Sequence, residues 1–208
     1  MIFGDSYSTF EGHIPEGYAC HYFSTPKNDT DVTRAEETWW HLLKEETGSC
    51  LVMNNSWSGS TICYTAYGGR DCSGDSSFIY RFEKLLEGGF FDQNKIDTLF
   101  VFGSTNDSWC GAELGEMSFD AIPREELYKV LPAICHFFAR IHASLPETRV
   151  VCIVNTNLKA EIANCLAAAS EHFGFDCVKL SEIDKTSGHP TILGMKQIKD
   201  QILKELSR

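Results

Sequence analysis

Short unbroken apolar runs alternate along the chain with longer stretches in which apolar residues recur every three or four positions. The runs fall at 1–3, 50–53, 98–102, 149–154 and 177–180. None shows the in-out alternation of a strand with one wet face, so they read as strands buried on both faces, as in parallel sheets. The helical patterns fall at 33–46, 77–86, 124–144, 158–173 and 191–206. In the last, Pro190 is expected at the first helical position, with Ile192, Met195, Ile198, Ile202 and Leu206 along one stripe. Strand and helix alternate throughout, which predicts an α/β fold with right-handed crossovers and helices on both faces of a parallel sheet.

Three polar loops interrupt this pattern, at 10–32, 61–76 and 107–123, and loops of such length in a compact domain are often functional. No repeat, low-complexity tract or linker marks a boundary, so residues 1–208 are expected to form a single domain. At 43% apolar residues the chain has enough material for a substantial core. The 18 Lys and Arg against 29 Asp and Glu leave a net charge of -11, without a basic run, which argues against nucleic acid or anionic membrane as partners. Apolar runs such as 150–154 are far shorter than the ~20 residues of a membrane span. The opening residues lack the basic start, apolar stretch and cleavage site of a secretory signal, so a cytoplasmic location is expected, although a trimmed secreted form would read the same. The nine cysteines contain no Cys-x-x-Cys pair, and Cys135, Cys152 and Cys165 sit in apolar patterns that suit small buried hydrophobes. The histidines show no metal-binding spacing, and neither metal nor other cofactor is expected.

In a doubly wound sheet, ligands bind beyond the carboxyl ends of the strands. After the first run comes Gly4-Asp5-Ser6-Tyr7-Ser8; after the second, Asn54-Asn55-Ser56-Trp57-Ser58-Gly59-Ser60-Thr61; after the third, Gly103-Ser104-Thr105-Asn106-Asp107; after the fifth, Asp184-Lys185-Thr186-Ser187-Gly188-His189-Pro190. As an ordered set, these segments resemble the blocks of the SGNH, or GDSL, hydrolase superfamily. The resemblance implies a flavodoxin-like three-layer α/β/α sandwich with five parallel strands in the order 2-1-3-4-5. It also implies that Ser6 is the nucleophile, that Ser6, Gly59 and Asn106 donate to the oxyanion, and that His189 is the general base. In that strand order, neighbours lie ~4.8 Å apart, so Ser6, Gly59 and Asn106 should emerge within ~10 Å of one another. Such a convergence meets the needs of acyl transfer: a base to activate a serine hydroxyl, and fixed donors where negative charge develops.

Two positions depart from the family pattern. The acid three residues before the histidine is replaced by Thr186, and the nearest carboxylate on the loop, Asp184, is the favoured partner for the imidazole, with a backbone carbonyl as the alternative. In the third block, Ser104 stands where glycine is usual. Tyr7, Trp57, Asp107 and Trp109 are candidate substrate-binding residues, and Tyr18 is a further aromatic beside the site. Arg70, Asp71 and Asp75 sit on a Gly-rich loop that would either close over substrate or remain a solvated surface. Trp39 and Trp40 fall on a helix, where core packing is expected.

The expected activity is a serine esterase removing a small acyl group from a carbohydrate or other polar alcohol, with a small-molecule ester as the partner. A lysophospholipase, a thioesterase, an acyltransferase and a catalytically silent carbohydrate-binding module are the alternatives.

Overall fold

The structure, a computed structural model, describes residues 1–207. Five parallel strands form the sheet in the order β2-β1-β3-β4-β5: β1 (Ile2–Gly4), β2 (Asn54–Ser56), β3 (Thr98–Phe102), β4 (Arg149–Val154) and β5 (Asp176–Lys179). The helices are α1 (Trp39–Thr47), α2 (Phe78–Glu87), α3 (Phe90–Gln93), α4 (Thr105–Trp109), α5 (Val130–Ser144), α6 (Ala160–Phe173) and α7 (Ile192–Leu206). A small antiparallel hairpin, β6 (Lys185–Thr186) and β7 (His189–Pro190), stands apart from the sheet.

Successive strand residues divide between two cores, as the two-residue period of a strand requires. Phe3, Val101, Cys152 and Val154 face Phe78, Phe82, Phe137 and Ile162, on the side of α2, α5 and α6. Ile2, Phe102, Val151 and Ile153 face Trp39, Leu43, Met195 and Ile198, on the side of α1 and α7. The result is a three-layer sandwich. Trp39 and Trp40 both lie in the core, as do Cys135, Cys152 and Cys165. No described helix is long and apolar enough to cross a membrane.

The second strand corrects the sequence reading. The apolar stretch 50–53 is not the strand: Val52 is 43% exposed, and it is the polar trio Asn54–Ser56 that pairs with Ile2–Gly4. Those polar side chains are buried because each is hydrogen-bonded, Asn54 Nδ2 donating to the Ser8 carbonyl at 2.7 Å and Arg81 Nη1 donating to Asn55 Oδ1 at 2.6 Å. A hydropathy pattern registers apolarity and is blind to such internal satisfaction.

Two expected helices also begin late. Between 33 and 46, a 3-10 turn at Ala35–Glu37 precedes α1, with Thr38 extended. Between 124 and 144, a 3-10 turn at Arg124–Tyr128 ends in extended Lys129, and α5 then starts so that Pro132 falls in its first turn, where a missing N–H costs no helical bond. The N–H groups of Val130 and Leu131 are instead satisfied by the carbonyls of Glu113 and Leu114, which tie down the preceding loop. Pro190 lies in β7 and does not start the last helix; Thr191 caps α7 through a bond from Gly194 N to Thr191 Oγ1 at 3.1 Å.

Gly194 packs the start of α7 directly against the Asp184 backbone, and a Cβ there would land on the Asp184 carbonyl oxygen. Gly194→Ala is expected to destabilise the fold by roughly 1–3 kcal/mol. A thermal melt should show the drop, whereas Gly74→Ala, at a glycine with open space around it, should melt nearly as wild type.

Candidate active site

The carboxyl ends of β1, β2 and β3 are level, since Gly4 is in register with Ser56 on one side and Phe102 on the other. The strand order reverses here, one crossover leading to each side of β1, which opens a crevice at this end of the sheet. Gly4 is required by close packing: a Cβ would sit 2.5 Å from Ser56 Oγ and 2.7 Å from Ser8. Asp5 is extended and caps a 3-10 turn, Ser6–Ser8, by accepting the Tyr7 N–H at 3.1 Å. That sharp change from strand to turn leaves Ser6 just beyond the carboxyl end of β1.

His189 Nε2 lies 2.9 Å from Ser6 Oγ. The imidazole reaches it because Ser187 (φ 48°) and Gly188 (φ 80°) make the two-residue turn between β6 and β7, both in the positive-φ region that primed hairpin turns require. The hairpin is held from outside its own backbone. Tyr7 donates its hydroxyl to the Gly188 carbonyl, Tyr22 donates to the Pro190 carbonyl at 2.9 Å, and Ser187 Oγ donates to Asp29 Oδ2 at 2.9 Å.

The ring's other nitrogen, Nδ1, faces the Ser187 carbonyl at 3.3 Å. Asp184, expected to orient the ring, is elsewhere, and the hairpin register explains why. With Thr186 opposite His189 and Lys185 opposite Pro190, residue 184 falls opposite Thr191. There the Asp184 carboxylate accepts the Thr191 hydroxyl, and the Asp184 carbonyl accepts the Thr191 N–H at 3.2 Å. The backbone carbonyl is thus the partner of Nδ1. Burial holds the His189 pKa below the ordinary histidine value; the Ser187 carbonyl opposes this shift and the Lys185 ammonium adds to it.

The three expected oxyanion donors follow β1, β2 and β3, whose carboxyl ends lie side by side: the Ser6 N–H, the Gly59 N–H and the Asn106 amide. The N–H groups of Ser6 and Gly59 have no hydrogen-bond acceptor among the described residues. Gly59 occupies a turn at φ 79°, which glycine adopts without strain. Asn106, in the first turn of α4, donates one amide hydrogen of Nδ2 to the Ser60 carbonyl at 2.9 Å and accepts the Tyr67 hydroxyl on Oδ1 at 3.0 Å. Those two bonds fix which way the amide points and leave its second hydrogen free. Ser104 takes the left-handed conformation, φ 69°, that a glycine would adopt at no cost.

Beneath the donors lies Arg81, 1% exposed. Its guanidinium donates to the Ser76 carbonyl at 3.0 Å, Ser60 Oγ at 3.1 Å, the Gly4 carbonyl at 3.3 Å and Asn55, joining the ends of β1 and β2 to the loop that carries Gly59. Burial lowers its pKa to about 10, leaving it charged at neutral pH. The same burial raises the Asp5 carboxyl to about 7, against the pull of the Tyr7 N–H.

Of the expected substrate-binding residues, two are structural. Asp107 is fully buried, its carboxylate accepting the N–H groups of Ile62, at 2.9 Å, and Cys63, at 3.0 Å, which anchors the start of the 61–76 loop. Tyr7 is also fully buried and supports the histidine hairpin. Trp57 is half-buried and packs on Tyr18 with ring centroids 4.3 Å apart, while Trp109 is 46% exposed and Tyr67, which sequence reading passed over, is 47% exposed. The Gly-rich loop is pinned by the pair Arg70 with Asp75 and by a bridge between Thr65 and Asp71. Tyr67, Arg81 and His21, which stacks on His189, carry no local motif; the only sequence signal for Tyr67 and His21 was their place in the long polar loops. A cavity of about 520 Å³ opens at the opposite end of the strands, lined by Trp40, Leu51 and Leu203 among others. No group of three His, Cys, Asp or Glu among the described residues is placed to hold a metal ion.

The family model described as GDSL-like Lipase/Acylhydrolase matches residues 1–206. Among solved structures, a protein described as a GDSL-like lipase from Bacteroides ovatus is 39% identical, with a TM-score of 0.91 over 99% of this chain and 97% of its own. A second from Bacteroides uniformis gives the same identity and TM-score over 99% of this chain and 93% of its own. A family two carbohydrate esterase from Clostridium thermocellum, solved in complex with cellohexaose, shares the fold at 15% identity and TM-score 0.62, over 99% of this chain and 62% of that one. No curated protein matches the chain.

The placement of Asp184 yields a direct test. Asp184→Asn should leave turnover within a few-fold of wild type, whereas changing a true triad acid to its amide costs about four orders of magnitude in kcat. A steady-state comparison of the two proteins on any accepted ester settles which applies.

Proposed function

The chain belongs to the GDSL-like lipase/acylhydrolase family and is an ester-bond hydrolase; from that premise we propose that it is a serine esterase working through a Ser6–His189 dyad, on small acyl esters of carbohydrates or similarly polar alcohols. The observation that carries this reading is the 2.9 Å contact of Ser6 Oγ with His189 Nε2; the N–H groups of Ser6 and Gly59, without an acceptor among the described residues, and the oriented amide of Asn106 support it.

His189 accepts the Ser6 proton on Nε2 as Oγ attacks the ester carbonyl carbon. The carbonyl oxygen, now an oxyanion, is met by the N–H groups of Ser6 and Gly59 and the Asn106 amide, which are in place before the charge appears. His189 then gives its proton to the departing alcohol oxygen as the carbon-oxygen bond breaks, leaving an acyl-serine. Water, losing a proton to the same nitrogen, attacks the acyl carbon, and His189 passes that proton to Ser6 Oγ as the acyl carbon–Oγ bond breaks and the acid leaves. The Ser187 carbonyl, accepting from the Nδ1 proton, selects the tautomer in which Nε2 is the free base.

The substrate class rests on the exposed aromatics. Trp109 and Tyr67, with the Trp57–Tyr18 pair, offer flat faces suited to sugar rings. The carbohydrate esterase likeness is in keeping with this, although at its low identity it speaks for the fold.

The test is a panel of acetylated sugars and of p-nitrophenyl esters of short and long acyl chains, with Ser6→Ala as blank. Acetyl and other short esters should be turned over, long-chain esters poorly, and Ser6→Ala not at all; preference for long acyl chains, or residual turnover by Ser6→Ala near wild type, would contradict the reading. Because the base must be neutral and its pKa is lowered, activity should be lost on the acid side only below the ordinary histidine value of about 6.5. The acid limb of the kcat/KM profile reads this directly.

A further inference from the structure

During each half-reaction, His189 holds a positive charge between taking a proton and returning it. In a Ser-His-Asp arrangement a carboxylate faces that charge. Here Asp184 is bonded to Thr191, Asp29 to Ser187 Oγ and Asp31 to the Ile192 N–H, so none of the three hydrogen-bonds to the ring. The remaining groups around the imidazole are Tyr7 from the turn after β1, with ring centroids 5.3 Å apart, Tyr22 from the 10–32 loop at 6.4 Å, Lys185 from β6, and His21. Lys185 opposes protonation, while its own ammonium donates to Thr156 Oγ1 at 2.6 Å and Asn155 Oδ1 at 3.3 Å.

His21 lies flat on His189, with centroids 3.6 Å apart and planes 10° from parallel. It is held there by its N–H, donating to Thr9 Oγ1 at 3.0 Å, by its carbonyl, accepting Asn28 Nδ2 at 2.7 Å, and by the edge of Tyr22. Its Nε2 is buried without a hydrogen-bond partner. Burial, reinforced by the neighbouring His189, takes its pKa down to about 4, so the ring is neutral wherever the enzyme would work.

A close face-to-face sandwich is the arrangement that two neutral aromatic rings favour least. It becomes attractive when one ring carries a positive charge and the other presents an electron-rich face. The stack therefore gains strength in the charged state through which the reaction passes, which is the condition for an interaction to accelerate a step.

Resting on the Ser6–His189 reading above, we propose that His21 is a positioning residue whose neutral face braces His189 and stabilises its imidazolium, in the part a carboxylate plays in a triad. His21 exchanges no proton: the proton travels only between Ser6 Oγ, His189 Nε2 and the leaving alcohol or water. The stack acts through charge and geometry alone.

The test separates the aromatic face from simple filling of space. His21→Phe keeps a flat face and His21→Leu keeps a dry, filled site without one. Imidazole titrations followed by NMR on isotopically labelled protein should give a His189 pKa in His21→Phe close to wild type, and in His21→Leu lower by about half a unit to one unit. The corresponding loss in kcat for His21→Leu is about three- to tenfold, with KM little changed and the acid limb moved by the same interval. Equal His189 pKa values in the two variants, or a rise in His21→Leu, would overturn the proposal.

Wild type alone supplies a second reading if a variant fails to fold. The His21 signals should shift as His189 protonates and yet remain those of a neutral ring, and a His21 that takes up its proton before His189 contradicts the proposal. These titrations need no turnover. An inactive wild type with the expected pKa pattern would reject the esterase reading and leave the stack standing, and an active enzyme with an unmoved pKa would do the reverse.

Discussion

A single hydrogen bond, from Ser6 Oγ to His189 Nε2, joins residues 183 positions apart. Nearly everything else at this end of the molecule keeps its two ends in place. The serine end is set by the sheet: β1 is short and paired on both sides, by β2 and β3, and its last residue, Gly4, packs too tightly against Ser56 and Ser8 to admit a side chain. The histidine end lies outside the five-stranded sheet, in a hairpin closed by a two-residue turn. Its position is secured by Tyr7 and Tyr22, which bond its carbonyls, and by Asp29, which accepts from Ser187. Because Tyr7 follows Ser6 directly, the turn that presents the nucleophile also grips the loop that presents the base.

Such a site places many polar groups out of water, and each must find a partner or cost stability. Arg81 supplies several of the partners, bridging carbonyls and side chains at the ends of β1 and β2, while Asp107 gathers the N–H groups that begin the neighbouring loop. Among the described residues, four side-chain atoms are buried without a hydrogen-bond partner: Asp5 Oδ2, Ser104 Oγ, His21 Nε2 and Trp40 Nε1. The first three lie in or beside the site, where the local rules of folding are most often overruled by function, whereas Trp40 lines the cavity at the opposite end of the strands.

The sheet and its helices were legible because buried parallel strands and amphipathic helices leave periodic traces; Ser6, Gly59, Asn106 and His189 were singled out because the segments after the strands resemble the family's blocks, and the structure brings Ser6 and His189 into contact. Where the reading failed, the cause was polar bonding at a distance. The β2 strand hid because Asn54, Asn55 and Ser56 are satisfied internally. Asp184 looked like the partner of His189 because counting residues ignores register, and a two-residue turn sends residue 184 to Thr191. Asp107 and Tyr7 sit beside motif residues and resembled ligand contacts, whereas their polar atoms serve the frame. His21, Tyr67 and Arg81 reach the site across long loops or from α2, and a contact of that kind leaves no mark in local sequence.

The most direct measurement is active-site labelling with a small phosphonofluoridate, which needs an activated serine and a hole for its phosphoryl oxygen, followed by peptide mass spectrometry. The account predicts one adduct per chain, on Ser6, formed rapidly in wild type and only very slowly in His189→Ala. No adduct on the folded wild-type protein, an adduct on another residue, or equal labelling in His189→Ala would contradict it.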